Sequence, residues 1–172
     1  MNFIRRTVAT FILFLSVPAI LAAAENLRLN PDLNYHRNNH QGPLLTGDNM
    51  LDGAKPGVVN YVIFYGEFCY NAKRMAKRTV DLYNKYHNQV HFVVIDFEAG
   101  WSDDQNKLVR QYFQKDIPQI TILDKSGHAV FNYTGETPKW VLAGWLDAAL
   151  RSRGPGETLH AEATKQPRAA GN

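Results

Sequence analysis

The feature that most constrains the fold is a nearly unbroken run of β-branched and aromatic residues at 58–65, Val-Val-Asn-Tyr-Val-Ile-Phe-Tyr. A strand with one face in water alternates apolar and polar residues, whereas this run is apolar at almost every position. It therefore predicts a central parallel strand covered on both faces. Parallel strands need crossover connections, which are usually helices, so we expect helices around the sheet.

Helix and strand patterns alternate after this run. Residues 69–87 place side chains at the three- and four-residue spacing of an amphipathic helix, at Met75, Thr79, Leu82 and Tyr86. Residues 89–96 form a second apolar strand. Ser102 to Gln105 has the form of a capping box, which predicts the start of a second helix.

A hairpin and a last helix complete the pattern. Residues 119–123 and 128–133 predict two antiparallel strands joined by the Asp-Lys-Ser-Gly turn at 124–127. Thr137 and Pro138 predict the N-cap and the first residue of a closing helix. The whole order predicts an α/β fold, with a central mixed sheet flanked by helices on both faces.

The N-terminus has the pattern of a secretory signal peptide. A basic start containing Arg5-Arg6 precedes an apolar run at 8–20 and three alanines that end at Ala24. An uncleaved membrane anchor is the alternative, but the run is shorter than the roughly 20 residues that a spanning helix needs, and Pro18 interrupts it. We therefore predict cleavage after Ala24 and a periplasmic or secreted protein, with membrane contact only if the segment stays uncleaved.

The rest of the chain divides into three parts. Residues 25–55 are rich in Asn, Pro, Gly and Asp, which predicts an N-terminal extension of loops with one short helix at 48–54. Residues 56–151 form the predicted domain. Residues 152–172 are polar with few large apolar side chains, which predicts a disordered tail.

The charge of the chain argues against a nucleic-acid partner. Removal of the signal peptide takes away two arginines and lowers the formal net charge from +3 to +1. Binding to nucleic acid needs a clustered excess of lysine and arginine, which this balance does not provide.

The sequence contains one cysteine, Cys69, between the first strand and the first helix. Unpaired backbone N–H groups and the helix dipole favour a thiolate at the start of a helix. A leftover cysteine in a secreted protein indicates intermolecular pairing or a free reactive thiol. The alternative is an inert cysteine that packs as a small hydrophobic residue.

Two short motifs point to a known family. The residues at 68–73 read Phe-Cys-Tyr-Asn-Ala-Lys, and Ile117-Pro118 stands immediately before the hairpin. With the order of elements over 56–150, these motifs resemble the thioredoxin family, whose usual motif is Trp-Cys-Gly-Pro-Cys-Lys. The approach Phe-Tyr-Gly-Glu-Phe-Cys is most similar to exported bacterial thioredoxins, including those implicated in cytochrome maturation.

The chain keeps some residues of the family pattern that it resembles and replaces others. Phe68, Cys69 and Lys73 keep the aromatic residue, the first cysteine and the lysine of the motif, whereas Ala72 replaces the second, resolving cysteine. The family also has a buried acid and a nearby lysine that help the resolving cysteine, and the matching positions hold Ile63 and Phe92. The resemblance therefore implies that the ordinary two-cysteine cycle is absent.

The retained residues imply a chemistry that uses a single thiol. Cys69 would be the nucleophile that forms mixed disulfides with client proteins or low-molecular-weight thiols. Ile117-Pro118 matches the cis-proline loop of the family, so the expected client-binding residues are Phe68, Tyr70, Ile117 and Pro118. Two alternatives remain, a redox-inactive client-binding or assembly module and a degenerate structural domain.

Several neighbours of Cys69 allow two interpretations. Tyr65, Phe68 and Tyr70 would form an apolar lip for clients or simply pack in the core. The basic residues at 73–78 would raise the local positive potential or form the solvated face of the helix. Trp101 would rim the site or act as a hydrophobic staple on the following helix.

No metal or cofactor is expected. His36 and His40 have a ligand spacing that works only on a helix, and the Arg-Asn-Asn between them disfavours one. The other histidines show no ligand spacing, and the sequence has no recognisable nucleotide-binding loop.

Overall fold

The computed structural model describes residues 26–36 and 42–152. The predicted signal peptide, His40 and nearly all of the predicted tail lie outside these residues. The elements are β1 (Arg28–Leu29), β2 (Leu45–Thr46), β3 (Val59–Tyr65), α1 (Tyr70–Tyr86), β4 (Val90–Asp96), α2 (Asp103–Tyr112), β5 (Gln119–Leu123), β6 (Ala129–Thr134) and α3 (Lys139–Arg151).

Four strands form the central sheet in the order β4-β3-β5-β6. β3 is parallel to β4 and antiparallel to β5, so the sheet is mixed, as predicted. All seven residues of β3 are buried, as its composition predicts. Tyr61, Ile63 and Tyr65 pack in the core formed with α1 and α3, whereas Val62 and Phe64 pack in the core formed with α2. The predicted α/β fold is confirmed.

The start of α2 is confirmed in detail. The Gln105 N–H donates to Ser102 Oγ at 3.2 Å, and the Ser102 N–H donates to Gln105 Oε1 at 3.3 Å. This reciprocal pair satisfies two donors at the helix N-terminus. Gln105 Nε2 also donates to the backbone oxygens of Met50, Asp52 and Val94, so the same side chain attaches the residues before β3 to the edge of the sheet.

The predicted cap of α3 is wrong. The helix begins at Lys139, its N-cap is Pro138, and no side chain makes a cap hydrogen bond. Thr137 is buried against α1, where its N–H faces Met75 Sδ at 3.5 Å and its carbonyl accepts from Arg78 at 3.1 Å. This tertiary contact, rather than capping, sets the position of Thr137.

The residues before β3 are more ordered than their composition indicates. β1 and β2 form an antiparallel pair, and Leu27, Leu44 and Leu45 belong to the main core. The helix expected at 48–54 is wrong, because this segment forms a turn in which the Asp52 N–H donates to Asn49 O. Asn49 has a φ of +56°, a left-handed conformation that does not continue a right-handed helix.

None of the helices in the described ranges is long and apolar enough to cross a membrane.

The buried Gln119 side chain should contribute strongly to stability. Its Nε2 donates to Tyr112 O at 2.7 Å, and its Oε1 accepts the Gln114 N–H at 2.7 Å, so it holds the loop that leads into β5. We expect Gln119→Met to lower the free energy of unfolding by about 1–3 kcal/mol, because the substitution keeps the volume but removes these partners.

Urea denaturation measures this loss. Gln89→Met, at an exposed position, is the matched control and should change the free energy by less than about 0.5 kcal/mol. Equal effects of the two substitutions would contradict a structural role for the Gln119 amide.

Candidate functional site

Cys69 lies at the junction of β3 and α1. It is the N-cap residue of α1, its backbone is extended, and its side chain makes no cap hydrogen bond. The thiol is partly exposed. The Cys69 N–H donates to Gly66 O, so a tight turn delivers the cysteine from the end of the buried strand to the start of the helix. At such a position the unpaired N–H groups of the first helical turn lie close to the thiol.

The loop before β5 lies against this thiol. Cys69 Sγ is 3.8 Å from the Ile117 carbonyl oxygen. The Ile117-Pro118 peptide bond is cis, as the resemblance implies, and Pro118 O accepts the Gly135 N–H at 2.7 Å. Pro118 is buried and Ile117 is partly exposed. Two residues 48 and 49 positions after Cys69 are thus brought to the cysteine by the sheet.

The three aromatic residues near Cys69 divide into two groups. Tyr65 is wholly buried in the core, so for this residue the packing interpretation applies. Phe68 and Tyr70 flank the cysteine in sequence and are 68% and 49% exposed. The Arg74 guanidinium lies 4.4 Å from the centre of the Tyr70 ring, a cation–π contact that restrains this side chain. An aromatic surface therefore borders the thiol.

The basic residues of α1 do not form one solvated face. Lys73 is only 1% exposed, its Nζ donates to Asn34 O at 3.4 Å, and burial lowers the pKa of its amine. Arg74 and Arg78 both pair with Glu136. Among Lys73, Arg74, Lys77 and Arg78, only Lys77 is exposed, and its amine lies 5.8 Å from the Tyr35 ring centre.

Ion pairs of Glu136 with Arg74 and Arg78 connect α1 to the segment before α3. Arg74 Nε donates to Glu136 Oε1 at 2.7 Å, and Arg78 approaches the other carboxylate oxygen at 3.1 Å. The hydrogen bond from Arg74 is the main cause of the lowered pKa of the Glu136 carboxyl. Arg74 also donates to Asn71 Oδ1 at 2.6 Å. These contacts position the first turn of α1, where Cys69 stands.

The residues at the three positions linked to the resolving cysteine, Ala72, Ile63 and Phe92, are all apolar and buried. Ala72 has no exposed surface and belongs to the main core. Ile63 is wholly buried, and the Phe92 ring packs 5.1 Å from the Tyr61 ring. An unpaired carboxyl or amine among these side chains would be costly to desolvate.

Glu98 is a site residue that sequence reasoning missed. Its Oε2 accepts the Glu67 N–H at 2.8 Å, two residues before Cys69. A Cβ at Gly66 would lie 2.5 Å from Ile117 Cδ1 and 3.1 Å from Glu98 Oε1, so a larger residue there would have to displace these two side chains. An acid after an apolar strand is too common a pattern to predict this contact.

Asp96 is a second residue that sequence reasoning missed. It ends β4 beside Tyr65 and is 6% exposed. Its Oδ1 accepts the Glu98 N–H at 3.0 Å. Burial is the main cause that raises the pKa of the Asp96 carboxyl to about 7, and the Glu98 N–H opposes the shift. The chain thus buries a carboxyl, although not at position 63.

No three His, Cys, Asp or Glu side chains come together to hold a metal ion in the part of the chain that the structure describes. His36 lies in the turn at 35–36, and His40 is outside the described residues.

The raised pKa of Asp96 predicts a pH-dependent stability. Between the unfolded pKa of about 3.9 and the folded pKa of about 7, the folded state binds more protons than the unfolded state, so stability falls as the pH rises. Asp96→Asn removes this titration. We expect the free energy of unfolding of the variant, relative to that of wild type, to rise by on the order of 1–2 kcal/mol between pH 5 and pH 8.

Urea denaturation at both pH values measures this difference. Asp116→Asn, at an exposed position, makes the same change in charge and should follow the wild type. The raised pKa would be contradicted if Asp96→Asn and wild type differed by the same free energy of unfolding at both pH values.

A family model and several solved structures are similar to this chain. Residues 49–148 match the family model described as Thioredoxin. A Chlorobium tepidum protein described as a putative thiol:disulfide interchange protein, DsbE, is 19% identical, with a TM-score of 0.46 over 55% of this chain and 81% of that one. The exposed lipoprotein thioredoxin Etrx1 of Streptococcus pneumoniae strain TIGR4 is 15% identical, with a TM-score of 0.45 over 54% and 85% of the two chains. The family model covers more than half of the sequence, and the chain therefore belongs to the thioredoxin family.

Proposed function

We propose that this protein is an exported thioredoxin-family protein that uses Cys69 as a capture thiol. The observation that carries the proposal is the position of the thiol, which is partly exposed at the N-terminus of α1, with its Sγ 3.8 Å from the Ile117 carbonyl. Export rests on the basic and apolar pattern of residues 1–24. Clients would be proteins with exposed disulfides, or oxidised low-molecular-weight thiols.

The reaction is a thiol–disulfide exchange. The Cys69 thiolate attacks one sulfur of a client disulfide, the client S–S bond breaks, and a new S–S bond joins Cys69 to the client. The other client sulfur leaves as a thiolate and takes up a proton from water. The net result is a mixed disulfide and one client thiol, with no other oxidant or reductant.

The surroundings of Cys69 suit the capture of a chain segment. Phe68 and Tyr70 offer exposed aromatic surface on either side of the cysteine in sequence. The cis Ile117-Pro118 loop lies beside the thiol and is braced by the Gly135 N–H. We infer that an extended client segment lies along this loop while the aromatic side chains cover it.

The fate of the mixed disulfide depends on Ala72. In a dithiol thioredoxin a second cysteine at this position would attack the mixed disulfide and release the client. Ala72 supplies no sulfur, so release requires an external thiol. The proposed protein is therefore a slow exchange or holding protein and not a turnover reductase.

Mass spectrometry tests the capture directly. We expect incubation with a peptide disulfide to give one adduct on Cys69 and none in Cys69→Ser. The double variant Cys69→Ser, Gln89→Cys carries a thiol at an exposed position after α1 and is the matched control. It should react about tenfold more slowly, because no cis-proline loop holds the peptide beside its thiol.

The absence of an adduct on Cys69 while the control thiol is labelled would overturn the proposal. If Cys69→Ser then bound the reduced peptide as tightly as wild type, the alternative of a redox-inactive client-binding module would take its place. The exposed Phe68 and Tyr70 are the specific observation that favours this alternative.

Restoring a second cysteine tests the role assigned to Ala72. Wild type should give no sustained reduction of insulin by dithiothreitol, whereas Ala72→Cys should accelerate it measurably, because the introduced thiol can form a disulfide with Cys69. Ala76→Cys, which is equally buried on the same helix, should leave the rate at the wild-type level. Sustained turnover by wild type would contradict the one-thiol mechanism.

A further inference from the structure

The Glu98 carboxylate lies against the turn that carries Cys69 and against the cis-proline loop. Its Oε2 accepts the Glu67 N–H at 2.8 Å, which fixes the position of the carboxylate. A Cβ built on Gly66 would lie 3.1 Å from Glu98 Oε1 and 2.5 Å from Ile117 Cδ1, so both side chains lie over Gly66. Ile117 O is in turn 3.8 Å from Cys69 Sγ. A client segment that lies along the cis-proline loop therefore passes close to this carboxylate.

The acids at this end of the sheet have no cationic partner in the described part of the chain. Glu98 is exposed and Glu67 is partly exposed. Among the ion pairs of the described residues, none involves either acid. Burial is the main cause that raises the pKa of the Asp96 carboxyl, and the Glu98 and Glu67 side chains add to the shift. Their negative charge therefore acts on its surroundings without being cancelled.

The cations that follow Cys69 on α1 are already engaged. Arg74 and Arg78 both pair with Glu136. Lys73 is only 1% exposed, so a client cannot reach its amine. A client at the thiol therefore meets guanidinium groups that already have an acid partner, and carboxylates that have no basic one.

The other exposed charges near the site cancel or lie farther away. Lys115 and Asp116 precede Ile117 and contribute one charge of each sign. Lys77 lies two turns along α1 from Cys69, about 12 Å, which exceeds the Debye length of about 8 Å at physiological ionic strength. The mature chain has a formal net charge of only +1, so the molecule as a whole adds little steering. The local acids therefore dominate the potential that a client meets.

We propose that Glu98, together with Glu67, makes the thiol site selective for client segments with a lysine or arginine beside the disulfide-bonded cysteine. The inference rests on the proposed function, because it names the class of client that the capture thiol takes. The client cation donates to the Glu98 carboxylate while the client sulfur meets Cys69. The exchange itself is unchanged: Cys69 Sγ bonds to one client sulfur, and the other leaves as a thiolate that takes up a proton.

The size of the preference follows from the exposure of the site. Two unit charges about 4 Å apart in water interact strongly enough to change a rate about fivefold. Replacing an attracted lysine by a repelled glutamate counts this effect in both directions, so we expect a difference of about tenfold or more. The Debye length falls from about 10 Å at 0.1 M salt to about 3 Å at 1 M, so salt should reduce the preference.

Capture kinetics with matched peptide disulfides test the selectivity. Three disulfide-linked homodimeric peptides differ only in the residue on each side of the cysteine, which is lysine, glutamine or glutamate. Rates of adduct formation on the mature chain, measured by mass spectrometry, are divided by the rates with 2-mercaptoethanol, a neutral thiol. We expect the lysine peptide to react about tenfold faster than the glutamate peptide at low salt, and about twofold faster at 1 M salt. Equal corrected rates for the three peptides would overturn the selectivity and leave the capture reaction standing.

Variants assign the preference to the acids. Glu98→Gln keeps an oxygen that can accept the Glu67 N–H but removes the charge, and it should lower the lysine-to-glutamate ratio to about threefold. The double variant Glu67→Gln, Glu98→Gln should bring the corrected ratio close to one. Asp81→Asn removes an exposed acid about 18 Å along α1 from Cys69 and should keep the wild-type ratio. A change in the thiolate fraction of Cys69 cancels in this ratio, because all the peptides meet the same thiol. The wild-type ratio in Glu98→Gln would show that Glu98 does not select the client.

Binding without reaction separates this inference from the proposed function. Cys69→Ser cannot form the mixed disulfide, so its affinity for the reduced peptides reports the charge preference alone. We expect titration calorimetry to show about tenfold tighter binding of the lysine peptide than of the glutamate peptide. If wild type forms no adduct with any peptide, the proposed function fails and this measurement decides the selectivity. Equal affinities, or no binding of the lysine peptide, would then overturn the selectivity as well.

Discussion

The complete burial of β3 is the constraint on which the rest of the structure depends. All seven of its residues are buried, with α1 and α3 packed on one face and α2 on the other. β3 ends at Tyr65, and a turn of three residues leads from it to Cys69, the N-cap of α1. Pairing of β3 with β5 then brings Ile117 to the same end of the sheet. The thiol and the cis-proline loop meet because the end of β3 lies beside the start of β5.

Two buried parts of the molecule differ in whether they hold an acidic side chain. In the main core, the apolar residues Ile63 and Phe92 fill the positions where the resemblance to the family implies an acid and a lysine. At the end of β4, in contrast, Asp96 is buried, and its pKa is raised. A buried carboxyl destabilises the protein unless hydrogen bonds or a nearby charge compensate for its desolvation.

Much of the fold could be predicted from the sequence because its signals are local. The apolar run of β3, the helical spacing in α1 and the capping box at Ser102 each act over a few residues, and each was confirmed. The residues before β3 could not be predicted in this way. Leu27, Leu44 and Leu45 are scattered among turn-forming residues, so their place in the core depends on contacts with the finished sheet. Thr137 likewise follows its contacts with α1 and not its capping propensity.

The sequence by itself determined the fold class, the single thiol at the start of a helix and the cis-proline loop that the family motif implies. Only the tertiary structure decided which side chains surround that thiol: Tyr65 buried, Phe68 and Tyr70 exposed, and Lys73 covered near Asn34. It also decided that Glu98 contacts the Glu67 N–H, and that Glu98 and Ile117 both lie over Gly66. These contacts join residues that are distant in the chain. No periodicity encodes them, because desolvation and hydrogen bonding depend on which surfaces meet after folding.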